Sequence, residues 1–188
     1  MSTIRITGHD LSIDEVWNVA HGEAQAELAV APREALQRSH DAVMRLVDEG
    51  EIAYGITTGF GAFKKRLIPR EQADELQTNL LRSHAAGVGP EADEATTRAM
   101  LLVRANTLAK GYSGVRPELV ETLLELLARD VMPVVPLQGS LGASGDLAPQ
   151  AHLALVLIGE GEARFRGERL PGHEALRRAG LKALSLKP

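Results

Sequence analysis

The chain has 188 residues, 44% of them hydrophobic, enough for one sizeable core. Its 21 Lys and Arg face 25 Asp and Glu, a formal net charge of −4, so no basic surplus exists to hold nucleic acid or an anionic membrane, and a small metabolite fits better as a ligand. No cysteine is present, which removes disulfides and thiolate nucleophiles, and the six histidines show neither HxxxH nor HExxH spacing, so no metal is expected.

The opening "MSTIRITGHD" lacks the cationic start and apolar run of a signal peptide, and "LALVLIG" is too short to span a bilayer, so a cytoplasmic protein is expected. In "LSIDEVWNVAHG", Ser12 and Glu15 have capping-box spacing, which predicts a short helix ending near Gly22. Pro32 opens a second helix, in which Leu36, Val43, Leu46 and Val47 recur at helical spacing until Gly50. "YGITTGFGAF", residues 54–63, has no clean period and reads as a loop with room for a short strand. Helices follow over 69–86, over 91–111 and from Pro117 through "ELVETLLELLARD". Prolines and glycines interrupt at "VMPVVPLQGSLGASGDLAP". "QAHLALVLIG" is then apolar on nearly every side, as expected of a helix buried all round at the centre of the fold. "EARFRGERLPG" suggests a hairpin and "HEALRRAG" a short helix. The class is mainly α with little β.

The segment "GASGDLAP" carries the functional question. Asp146 can cap the helix that follows, and small residues before it suit a turn. The G-x-S-x-G elbow fails because Asp146 stands at its last glycine, and His152 lies more than a helical turn from Ser144. "GITTGFGAFKK" departs from the Walker loop, with Phe60 after Gly59 and lysines only at 64 and 65, which leaves phosphate binding as a weak alternative. Ala143-Ser144-Gly145 can instead react with itself. An unhindered glycine nitrogen can close on the carbonyl carbon two residues earlier, and loss of water from the ring and from the serine side chain leaves a methylidene electrophile. Proteins otherwise lack such a group.

"GSLGASGDLAP" resembles the signature of the aromatic amino-acid ammonia-lyases, whose Ala-Ser-Gly triplet forms the methylidene-imidazolone group, MIO. "YGITTGFG", "LQTNLLRSHAAGVG" and "RANTLAKGYSGVR" resemble further family segments, in the same order. The resemblance implies the N-terminal helical part of an L-aspartase-like fold, with MIO made from Ala143, Ser144 and Gly145 and assisted by Asp146. It implies Tyr54 as catalytic base on a mobile loop and His84 as the substrate-binding residue. Tyr112 reads as structural, and Gln150 replaces an apolar residue of the family motif without bearing on the chemistry. Ser83-His84 resembles the branch acting on L-histidine, which gives trans-urocanate and ammonia. A tyrosine or phenylalanine ammonia-lyase or aminomutase, or a non-catalytic helical fragment, remains open. Family members are more than twice as long and form homotetramers with shared sites. Residues 1–188 therefore read as an MIO-bearing N-terminal domain, truncated before the central helical bundle and expected to be inactive alone.

Overall fold

The computed structural model describes residues 1–59 and 70–186. The chain begins with β1 (Ser2–Ile6), where Ile4 and Ile6 turn inward and their neighbours outward. α1 (Ile13–Ala20) follows the expected capping box: Ser12 Oγ accepts from the Glu15 N–H at 3.3 Å, and Glu15 Oε2 accepts from the Ser12 N–H at 2.7 Å. β2 (Ala24–Leu28) then lies parallel to β1, in register from Ser2↔Ala24 to Ile6↔Leu28. The sequence reading missed this pair because each strand has only five residues and β2, "AQAEL", lacks β-branched residues.

α2 (Val30–Asp48) begins two residues before Pro32, which is tolerated in the first turn because an N–H there has no intrahelical acceptor. α3 (Arg70–His84) has the expected position; its anticipated start at Pro69, like loop residues 60–63, lies outside the described residues. β3 (Val88–Glu91) leads to α4 (Glu94–Ala109), capped by Asp93, whose Oδ1 accepts from the Thr96 N–H at 2.7 Å. α5 (Pro117–Ala128) starts with proline at its first turn, as expected.

Helices α4 and α5 pack together at the centre. Leu101, Leu102 and Ala105 of α4 and Val120, Leu123, Leu126 and Leu127 of α5 belong to one buried cluster with Ile6, Leu36 and Leu153. Arg98, 8% exposed, joins this core to α1: its Nε donates to the Val19 carbonyl at 3.0 Å and its Nη1 to Asp130 at 2.7 Å. The guanidinium thus satisfies a carbonyl near the α1 end and keeps its charge paired, as burial demands.

The proline-rich interruption holds β4 (Val131–Pro133) and β5 (Pro136–Gln138). β5 pairs antiparallel with β3, while β4 pairs with β6 (Glu162–Phe165) and β6 with β7 (Glu168–Pro171). The expected hairpin is β6–β7, turned by Arg166 and Gly167 at φ 52° and 80°, the left-handed pair that tight hairpins need. α6 (Leu147–Leu157) and α7 (Gly172–Arg178) complete the fold. One expectation needs correction. α6 is apolar all round but buried only over its later turns, from Ala151 to Leu157, whereas Leu147 at its start is 55% exposed.

Candidate active site

The end of α3 fixes a histidine. His84 Nδ1 lies 2.8 Å from the Leu80 carbonyl oxygen and 3.1 Å from Ser83 Oγ. A carbonyl only accepts, so Nδ1 carries the hydrogen. Ser83 spends its own hydrogen on Leu80 O at 2.9 Å and therefore accepts from the ring. In the neutral ring this leaves Nε2 as an acceptor with a free lone pair. The bland role of a histidine near a helix end, bonding a carbonyl, is therefore filled by one nitrogen while the other stays available.

Tyr54 sits in a turn held by two threonines. The Ile56 and Thr57 amides donate to Ala53 O at 3.1 and 3.0 Å, and Thr57 Oγ1 accepts from the Ala53 N–H at 2.9 Å and donates to Glu51 O at 2.7 Å. Thr58, 1% exposed, accepts from the Gly55 N–H at 3.3 Å. Gly55 at φ 74° lets the chain reverse directly after Tyr54, so the phenol ring projects, 64% exposed. Thr57 and Thr58 are supporting residues that the sequence reading did not single out. A Thr-Thr pair has no periodic signature, and only its hydroxyl bonds reveal the role.

Ala143, Ser144 and Gly145 form an exposed to half-exposed turn directly before α6. Neither the Ser144 hydroxyl nor the Gly145 N–H has a hydrogen-bond partner among the described residues. Gly145 is at φ 74°, a conformation that L side chains rarely adopt. A nitrogen that is unhindered, unbonded and already in a tight turn fits the demands of ring closure, so the residues present suit an MIO group. Asp146 occupies the N-cap position of α6, but its side chain makes no capping hydrogen bond. Its backbone angles, φ −110° and ψ 0°, differ from the extended values that aim a cap residue at the first amides, which corrects the expected capping role.

These pieces meet. A cavity of about 580 Å³ is lined by Tyr54, by Leu80 and His84 of α3, by Arg104 and Leu108 of α4, and by Asp146, Leu147 and Gln150 at the start of α6, with further leucines behind. The incomplete burial of α6 thus has a counterpart, since its open first turn is a wall of this space. Arg104 has no ion-pair partner among the described residues and places a positive charge in that wall. Sequence reasoning missed it, although it opens the matched segment "RANTLAKGYSGVR". Tyr112 is exposed and absent from the lining. No group of three or more His, Cys, Asp or Glu among the described residues could hold a metal ion, and no described helix is long and apolar enough to cross a membrane.

A helical core thus brings a Tyr, a His and the helix start that directly follows an Ala-Ser-Gly turn to one cavity. The chain belongs to the aromatic amino acid lyase family, whose sequence profile matches residues 11–188. It is 55% identical over 181 residues to the histidine ammonia-lyase of Gloeobacter violaceus, a match covering 96% of this chain and 35% of that protein. Among solved structures, the ergothionase of Treponema denticola superposes with TM-score 0.95 at 30% identity, over 100% of this chain and 37% of that one. The histidine ammonia-lyase of Trypanosoma cruzi gives 0.89 at 32% identity, over 100% and 36%. The chain therefore spans little more than a third of the length of these relatives.

Proposed function

We propose that the complete protein is a histidine ammonia-lyase that converts L-histidine to trans-urocanate and ammonia. The observation that carries this is the shared cavity of Tyr54, His84 and the first turn of α6. Relatives bearing that enzyme name, at 55% and 49% identity over nearly the whole chain, support it. Ala143, Ser144 and Gly145 are assigned to MIO formation: the Gly145 nitrogen bonds to the Ala143 carbonyl carbon, and two waters leave, one from the ring and one from the Ser144 side chain. Once formed, the group supplies an electrophile for the departure of ammonia. Its seat before α6 puts it at the positive end of a helix, which draws electron density from it.

The chain's own residues do the rest. Tyr54, acting as its phenolate, takes a β-proton and becomes the phenol; the C–H electron pair becomes the new double bond as the Cα–N bond breaks, and the ammonium nitrogen keeps that bond's electron pair and leaves as ammonia. His84 Nε2 accepts from an imidazole N–H of the substrate, as its tautomer dictates. Leu80, Leu108 and Leu153 make the wall apolar, and low polarity strengthens that hydrogen bond. Asp146 assists ring closure from its place beside the triplet. The assembly is assigned as a homotetramer, readable by sedimentation of the complete protein, in the cytoplasm, where a chain without cysteine loses nothing to reduction.

The test is direct. In the complete protein, intact-mass analysis with peptide mapping should find two waters lost from the peptide holding residues 143–145, and L-histidine should yield urocanate. An active enzyme with an unmodified triplet removes the MIO assignment. A clear preference for tyrosine moves the substrate to the alternative branch.

A further inference from the structure

His152 lies one and a half turns into α6 and takes no part in the chemistry above, yet it reaches across to α3. Its Nε2 accepts from the Gly87 N–H at 2.9 Å, three residues beyond His84. The contact is built for closeness. A Cβ at Gly87 would stand 3.0 Å from His152 Nε2, and a Cβ at Gly139 would stand 2.9 Å from the Gly87 Cα and 3.3 Å from the Ala148 Cβ. Absent side chains at 87 and 139 let the segment after α3 and the segment after β5 meet backbone to backbone, and α6 approaches them through the small Ala148 and the His152 ring. Arg82 adds a second tie, donating to Glu160 just past α6 through Nε at 2.9 Å and Nη2 at 2.6 Å.

We infer that His152 is a positioning residue: its bond to the Gly87 N–H sets the spacing between His84 on α3 and the Ala143-Ser144-Gly145 turn directly before α6. The consequence for catalysis rests on the proposed histidine ammonia-lyase reaction; the clasp itself does not. His84 grips the substrate ring in the ground state and transition state alike, so loosening its anchor weakens binding more than it slows chemistry. The acceptor atom sits at the far end of the imidazole. A Gln amide oxygen reaches about that depth, whereas an Asn oxygen falls short and Leu offers no acceptor.

In the complete protein, His152→Gln should keep the wild-type KM for histidine. His152→Asn and His152→Leu should raise KM by about tenfold with kcat changed less than about twofold, and all should retain the two-water mass loss at the triplet. Gly87→Ala attacks the clasp from the other side and should raise KM similarly. Amide hydrogen exchange at Gly87 reads the clasp without any activity: it should speed up in the Asn and Leu variants and stay slow in the Gln variant. Unchanged Gly87 exchange in His152→Leu overturns the inference, as does a Gln variant as impaired as the Asn one. If His152→Leu does not fold, the Gln–Asn pair decides by the same two readings. A wild type inactive on histidine, with Gly87 exchange following the expected order, would defeat the proposed reaction and leave the clasp standing.

Discussion

Replacing His84 by leucine isolates the proposed substrate contact with little local damage. The mutation deletes the Nδ1–H bond to Leu80 O, but the Ser83 hydroxyl still donates to that carbonyl at 2.9 Å, so no buried acceptor is orphaned. What disappears is the unbonded Nε2 lone pair of a residue that lines the cavity. A histidine substrate would then bring an imidazole N–H into an apolar wall without a partner, which costs about 1–3 kcal/mol. At about 1.4 kcal/mol per factor of ten, kcat/KM for histidine should fall roughly 5- to 150-fold. Phenylalanine, with no ring N–H to satisfy, should lose nothing, so the preference for histidine narrows by the same factor. The assay is kcat/KM for histidine, phenylalanine and tyrosine in wild type and mutant, with intact mass confirming that the triplet still matures. An unchanged histidine-to-phenylalanine ratio would refute the assignment of Nε2 as the ring acceptor.

Ser144→Ala in the complete protein removes the oxygen that must leave as water, so it should abolish both the mass loss at the triplet and ammonia release; ammonia release at the wild-type rate would exclude the triplet. Tyr54→Phe keeps the ring and the threonine-held turn, so maturation should persist while kcat drops by at least about 100-fold, the scale of a lost general base. Wild-type turnover would return Tyr54 to a packing role. Leu126→Ala empties a fully buried site in α5 and should cost about 2–5 kcal/mol in chemical denaturation of the 188-residue chain; a loss below about 1 kcal/mol would mean the core is looser than described. Burial holds the His152 imidazole below the ordinary histidine pKa. As pH falls through the ordinary histidine range, the unfolded chain protonates first, so stability present at neutral pH is lost on acidification. Unfolding free energies between about pH 7.5 and 5 should decline more steeply for wild type than for His152→Gln; parallel curves would contradict this.

Helix positions were legible wherever chemistry marks both ends. Ser12 with Glu15, Pro117 at a first turn and Gly111 after a last one are local signals, and α1, α5 and α4 follow them. The β1–β2 and β3–β5 pairs were not legible. Their registers, Ser2↔Ala24 and Val88↔Gln138, depend on partners about 20 and 50 residues away, and no window along the chain contains both strands. The same division runs through the site. Residues 143–145 alone suit an ordinary turn, and they, like Tyr54 and His84, stand out because their segments resemble a family. His152 did not, since a histidine in an apolar helix has no local signature and its partner is a backbone amide 65 residues earlier.

Ordinary structural bonds supply the chemical definition of this site. The Leu80 carbonyl near the end of α3 is a generic acceptor, yet by taking the Nδ1 hydrogen it decides which nitrogen of His84 is left as an acceptor. The Ala53 carbonyl and the Thr57 and Thr58 hydroxyls are generic turn groups, yet they project the Tyr54 ring. The Gly87 amide, one residue past the turn after α3, ties the helix carrying His84 to the helix that follows the triplet. Each bond would be unremarkable in a domain without a site. Lying on α3, α6 and the Tyr54 turn around one cavity, they would set the orientation of the ring acceptor and the base proposed above before any substrate arrives. Such preorganisation lowers the reorganisation that binding and catalysis would otherwise require.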